Sequence, residues 1–293
     1  MSIALQVALV MVTILVVLLV IGAPIGVAIG MSSAVSMICM IPADVSFATS
    51  AQRIFAGSNS FSLIAIPFFI LAGNIMNNGG IATRLVNCAK VISGRMPGAL
   101  AQSNVVANML FGAISGSGAA AAAAMGGTIG PLEEKEGYDK NYSTAVNVAS
   151  APVGMLIPPS NTMIVYSSVA GSVSIAALFM AGYIPGLLWG GAVMILAGIM
   201  AKKRGYQAEH RVPVKVALKT FWQAIPSLLL IVIVIGGILG GIFTATEGSA
   251  IAVVYATVLS LIYKAFKIKD IPRIVLEAAK TTGIITFMIG LSS

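Results

Sequence analysis

Long apolar runs separated by short polar or basic stretches dominate the chain. Met1–Ile21, Pro24–Ile41, Phe61–Met76, Ser174–Met200, Ile225–Gly241 and Gly248–Tyr263 are such runs. A helix needs ~20 apolar residues to cross ~30 Å of hydrocarbon, so the pattern predicts membrane-spanning helices. Met1–Ile21 has no basic n-region and is long for a leader peptide, which predicts a first membrane helix.

Two regions break the pattern. Gly98–Gly130 is split at Ser115-Gly116-Ser117-Gly118. Its two arms would reach only about 22 Å and 18 Å as helices, so neither crosses alone. A re-entrant hairpin, entering and leaving on one side, is expected. Asn141–Ala170 is long enough to cross, but Pro152, Gly154 and Pro158-Pro159 interrupt it. It is expected to be a broken helix.

Charge placement supports this layout. With Ala201–Thr220 in the cytoplasm and 98–130 as a hairpin, every Lys and Arg except Arg53 falls inside. Treating 98–130 as one crossing would move Arg84, Lys90 and Arg95 outside. Because cytoplasmic loops concentrate Lys and Arg, the hairpin is preferred, and the N-terminus is placed outside. Val212–Ala224 and Ile268–Lys280 mix apolar and basic residues at near-helical spacing. They are expected to lie along the cytoplasmic interface, and Ile81–Ile92 is a third segment of this kind.

Composition agrees with a lipid solvent. Of 293 residues, 58% are hydrophobic and 9% charged, against roughly 25% charged in soluble domains. The net charge of +8 is spread between apolar runs rather than gathered in a patch, so nucleic acid is not expected as a partner. Cys39 and Cys88 are placed on opposite faces and are not expected to pair. No Asp, Glu, Lys, Arg or His lies deep in an apolar run; Glu247, near a helix end, comes closest. A charge at the bilayer centre is expensive and normally retained for a task, so a carboxylate proton relay is not expected. His210 is the only histidine, and no phosphate-binding loop, dinucleotide fingerprint or Cys/His cluster occurs. Neither an enzyme nor an ATP-driven pump is expected.

The remaining chemistry lies in interrupted main chain. Pro158 and Pro159 cannot donate to the carbonyls of Gly154 and Met155. Freed carbonyls in a protein-lined cavity suit a cation such as Na+. Ser160-Asn161-Thr162 then open a half-helix whose N–H groups and positive dipole end suit a carboxylate. Ser115, Gly116, Ser117 and Gly118 expose backbone at the hairpin tip at the same expected depth. Simple kinks and close packing of the Ala119–Ala124 run remain the structural alternatives.

The helix pair around Gly22-Ala23-Pro24 and the pair around Thr244–Glu247 have opposed orientations, as in inverted-repeat transporters. A second repeat of matching length would extend past Ser293. A second hairpin and a second broken helix are therefore expected beyond this chain.

The runs Phe111–Ala119 and Gly154–Asn161, with Gly241–Glu247, resemble the large membrane subunit of TRAP (tripartite ATP-independent periplasmic) transporters. That resemblance implies an all-α membrane protein, an inverted-repeat elevator-type transporter. It implies Na+-coupled import of an organic carboxylate, sialic acid or a C4-dicarboxylate, across a bacterial inner membrane. A periplasmic substrate-binding protein and a small four-helix membrane subunit are the implied partners, with the lipid bilayer around them. By likeness, the Na+ region comprises Ser103, Ser115, Ser117, Gly154 and Met155; Gly116, Gly118, Ser160, Asn161 and Thr162 face the substrate. The expected organisation is scaffold helices and arm over 1–97, hairpin and broken helix over 98–170, connecting and amphipathic helices over 171–224, and a second repeat opening at 225–293. A stand-alone anion carrier and a non-transporting assembly subunit remain open as alternatives.

Overall fold

A computed structural model describes residues 3–171, 173–206 and 213–292. Every regular element among the described residues is a helix. Two compact units result, one of residues 1–63 with 279–293 and one of residues 64–278.

In the first unit, α1 (Ile3–Val20) packs along α2 (Ile25–Ile38), and α3 (Ala43–Ser58) packs on α2. The chain reverses at Gly22, whose φ of +88° an L side chain rarely adopts. The second helix is shorter than the apolar run that predicted it. Its 14 residues reach about 21 Å. No span was assigned to the segment 43–58, which carries Asp44, Gln52 and Arg53. It forms a helix nonetheless, with Asp44 in its first turn where the helix dipole favours a carboxylate. The end of the last helix closes this unit, with Met288 and Leu291 over Gly26 and with Gly290 against Ser58 and Ile54.

The second unit contains α4 (Ala65–Asn78), α5 (Ile81–Ser93), α6 (Ala99–Ser115), α7 (Gly118–Thr128), α8 (Gly130–Lys135), α9 (Lys140–Ser150), α10 (Val153–Leu156), α11 (Asn161–Ala170), α12 (Ile175–Lys203), α13 (Val214–Leu239), α14 (Ala245–Ile262) and the start of α15 (Ile271–Ser292). Both interruptions predicted from the sequence are present. The hairpin breaks at Gly116, which has φ of +60°. Helix α7 then folds back along α6. Asn104 lines one cavity with Gly126, Gly130 and Glu133, whereas a continuous rod would hold Asn104 and Gly130 about 40 Å apart. The second interruption separates α10 from α11 and bends the path by 51°. The Pro158–Pro159 peptide is cis.

The two amphipathic segments near the second repeat differ from expectation. Neither lies apart from a span. Val214–Leu239 is one helix that passes through Pro226, and Ile271–Ser292 continues without a break past Lys280. One proline removes a single ladder hydrogen bond, and Lys280-Thr281-Thr282 contains no helix breaker. Val212, with His210 and Arg211, lies outside the described residues. The amphipathic α5 buries Ile81, Leu85, Val86 and Ala89 against α6 and α13. Helix α14 packs along α4, and Thr244 and Glu247 form a capping box at its start. Among the described residues, five helices are long and apolar enough to cross a membrane, or six if the bent Lys140–Ala170 path is one span.

Candidate functional site

The hairpin tip and the helix break meet. A Cβ placed on Gly116 would lie 2.9 Å from the Asn161 amide nitrogen and 3.1 Å from the Pro159 carbonyl oxygen. Only a glycine allows this approach, and only a residue tolerant of positive φ allows the turn. Asn161 Nδ2 donates to the Ser115 carbonyl at 3.3 Å, tying break to tip. Asn161 is 7% exposed, and its Oδ1 has no hydrogen-bond partner. Ser115 also touches α4, where a Cβ on Gly73 would lie 3.0 Å from the Ser115 Cβ.

Two serines start the half-helices. Ser117 caps α7 by accepting from the Ala120 amide, and Ser160 caps α11 by accepting from the Met163 amide. The Ser160 hydroxyl also donates to the Met155 carbonyl. That carbonyl is therefore bound across the break, not left wholly free as the proline positions predicted. Through Gly116, the N-termini of α7 and α11 converge. Each carries unpaired N–H groups and the positive end of a helix dipole.

Close packing holds the break at this height. Gly112 of α6 faces Gly154 of α10 so tightly that a Cβ on Gly112 would lie 2.2 Å from the Gly154 Cα. Gly118 receives the Met155 side chain, with Sδ 2.8 Å from the position of a Cβ. Three glycines of α12, four residues apart, form the opposite wall. Cβ atoms on Gly182, Gly186 and Gly190 would collide with the Leu156 carbonyl, Ile157 Cγ1 and Met109 Sδ, at 2.3, 2.7 and 2.8 Å. This spacing lets helix backbones approach closely. It was visible in the Ser174–Met200 run, but that run was read only as a span. Trp189 Nε1 to the Ala149 carbonyl (2.9 Å), Gln102 Nε2 to Met194 O (2.8 Å) and Tyr142 OH to Ala197 O (2.8 Å) pin α9 and α6 to the same helix.

Below the tip, the stem holds a polar ladder that the sequence analysis did not single out. Asn108 Nδ2 donates to Asn104 Oδ1 (2.9 Å), Asn147 Oδ1 (3.0 Å) and Ser150 Oγ (2.8 Å). Asn147 Nδ2 donates in turn to the Ala122 carbonyl of α7 at 2.9 Å. The four-residue spacing of Asn104 and Asn108 inside an apolar run was the available signal. Around the ladder, Phe111, Ala121, Ala124, Met125 and Ile129 form the apolar core of the hairpin. At the foot, Tyr206 stacks on Tyr138 with ring centroids 4.3 Å apart and accepts the Asp139 amide, while Arg204 pairs with Asp139 at 3.1 Å.

The structure thus brings together Ser115, Gly116, Ser117, Gly118, Gly154, Met155, Ser160 and Asn161. It does not bring Ser103 or Thr162 to them. Ser103 lies about 18 Å down α6 from Ser115, where its hydroxyl is spent on the Ala99 carbonyl and Ser93 Oγ. Thr162 is exposed and lines an apolar groove with Met163, Tyr166, Leu178 and Trp189. A rotation of about 100° on an α-helix separates it from Asn161, which meets the tip. Glu247 serves its own capping box. The deeply buried carboxylate is Glu133, at 1% exposure. It was hidden in the sequence within Glu133-Glu134-Lys135-Glu136, which has the composition of a solvated stretch.

Relatives carry the same arrangement of sequence over most of this chain. YgiK of Salmonella typhimurium is 50% identical over 261 residues, covering 89% of this chain and 60% of its own length. The C4-dicarboxylate TRAP transporter large permease of Rhodobacter capsulatus is 37% identical over 255 residues, 82% of this chain and 58% of its own. The sialic acid TRAP transporter large permease of Vibrio cholerae is 38% identical over 245 residues, 82% of this chain and 56% of its own. The chain therefore spans a little over half the length of these relatives. The family description "Tripartite ATP-independent periplasmic transporter, DctM component" matches residues 12–293, and the chain belongs to that family.

Proposed function

We propose that this chain forms the first-repeat half of the site in a Na+-coupled importer of an organic carboxylate in a bacterial inner membrane, with its N-terminus in the periplasm. A periplasmic binding protein would deliver the substrate and a small four-helix subunit would support the permease. The observation that carries this reading is the convergence of the α7 and α11 N-termini at Gly116 and Asn161. Two positive helix ends without a nearby side-chain cation form a receptor for one carboxylate, worth up to ~2 kcal/mol per helix end when partly buried.

The donor set also suits Na+. Met155 O, Pro159 O, Ser115 O and the unpartnered Asn161 Oδ1 are all hard oxygens within the same crossing. Such an ion would add positive charge beside the two N-termini and favour the anion electrostatically. Ser160 holds the two sides of the break in register by its paired hydrogen bonds. Asn161 ties that break to the hairpin, so tip and break travel as one body during alternating access. Sialic acid and C4-dicarboxylates, the cargoes in the relatives' names, share the carboxylate that this receptor reads.

Uptake into proteoliposomes holding the permease, its small subunit and a binding protein tests the reading. Uptake is expected to require an inward Na+ gradient and to fall at least tenfold in Ser160→Ala and Asn161→Ala. Parental uptake in both variants would remove the site from this crossing.

A further inference from the structure

The foot of the hairpin holds a cavity of about 350 Å³ that the tip site does not use. Asn104, Gly126, Gly130, Glu133, Ser143 and Asn147 contribute to its walls. Glu133 is 1% exposed, and neither carboxylate oxygen makes a hydrogen bond of full geometry. Asn104, also 1% exposed, has an unpartnered Nδ2, and the Ser143 hydroxyl lies near enough to the Glu133 carboxyl to bond it. A buried charge without a partner is costly, and Glu133 forms no ion pair among the described residues.

We infer that this cavity is a binding site for a hydrated alkali-metal cation, with Glu133 supplying the charge and Ser143 a neutral oxygen. Charge balance selects the ligand. One buried carboxylate calls for one positive charge, and the described residues hold no group of three acidic, Cys or His ligands that would suit a divalent metal. The end of α7 reinforces this, because Gly126 brings its C-terminal, partially negative turn to the cavity wall. The competing positive end, at the start of α9, is already taken: Asp139 caps it by accepting from the Tyr142 amide at 2.9 Å. The volume exceeds one bare ion and leaves room for water, for which Asn104 Nδ2 is a donor.

The neighbouring charges are consistent with this assignment. Glu134 and the exposed Lys140 line the mouth of the cavity, Glu136 lies close enough to oppose ionisation of Glu133, and Tyr138 and Tyr142 approach from the α9 side. Burial pushes the Glu133 carboxyl up to about 7, Ser143 works against that rise, and Glu136 adds to it.

The test follows Trp189 and Trp222 fluorescence during melting of the purified chain in detergent, at about pH 8. NaCl or KCl replaces choline chloride at constant ionic strength. In Asn161→Ala, which disables the tip, the alkali cation should still raise the melting temperature by about 3 °C. Adding Glu133→Gln should abolish that rise. Ser143→Ala, which keeps the charge, should raise the half-saturating cation concentration at least threefold, and it reports on the cavity even if Glu133→Gln folds poorly. Loss of the whole cation response in Asn161→Ala alone would place all binding at the tip and overturn the inference. An undiminished response after adding Glu133→Gln would show a proton site only, and would overturn it as well.

Discussion

The two ends of one hairpin solve different problems. At the tip, Ser115–Gly118 meets Pro159–Asn161 through backbone, small side chains and glycines too crowded for a Cβ. At the foot, side chains do the polar work: two asparagines, a serine and a buried carboxylate line open space. The tip gains its electrostatics from helix ends whose direction is fixed by the fold. The foot gains its own from a group that can gain or lose a proton. A substitution at the tip is therefore felt first as geometry, and one at the foot first as charge.

The largest effect should come from forcing side-chain bulk into the packed end. Gly112→Val would drive a side chain into the Gly154 backbone, 2.2 Å from its Cβ. A loss of about 3 kcal/mol or more is expected by chemical denaturation or melting. A parental melting temperature would show that the tip has slack and would erase the contrast. Next comes pH at the foot. Glu133 has an ordinary value of 4.5 and is held at about 7 in the fold. The folded chain then binds the proton more tightly, so this contribution is full below about pH 4.5 and lost as pH rises toward 7. In choline buffer, the difference between the parent and Glu133→Gln should change by roughly 3 kcal/mol across that window. A flat difference would mean the carboxylate is solvated.

Asn108→Leu should cost about 2 kcal/mol, because Asn147 and Ser150 lose their shared donor inside the stem. Its melting curve sharpens the comparison if the Na+ dependence of uptake survives. The smallest effect belongs to Ser103→Ala. Loss of its bond to Ser93 should cost about 1 kcal/mol, while half-saturating Na+ in uptake stays at the parental value. A shifted Na+ dependence would link the stem to the ion site after all.

The breaks were legible because Gly and Pro act locally. Gly116 announces a reversal and Pro158-Pro159 an interrupted ladder, whatever surrounds them. The membrane class was equally plain from the apolar runs. Burial of Glu133 was not legible, since it depends on α7 folding back to place α8 beneath Asn104. Ser103 was grouped with the Na+ region through family likeness, on the first arm of the hairpin, and helix rise puts it about 18 Å from Ser115. The extended α13 and α15 were missed for another reason. Amphipathic and apolar stretches were treated as separate elements, although nothing at Ala224 or Lys280 stops a helix.

The three glycines of α12 have a consequence of their own. Leu156, Ile157 and Met109 rest where methyl groups at 182, 186 and 190 would stand, so this 29-residue helix acts as a keel whose notches set the altitude of the kink. A lone extra carbon at Gly182 would lift the fracture off its seat without altering any atom of the tip proposed to receive the carboxylate. Loss of transport in such a variant would originate in the hull.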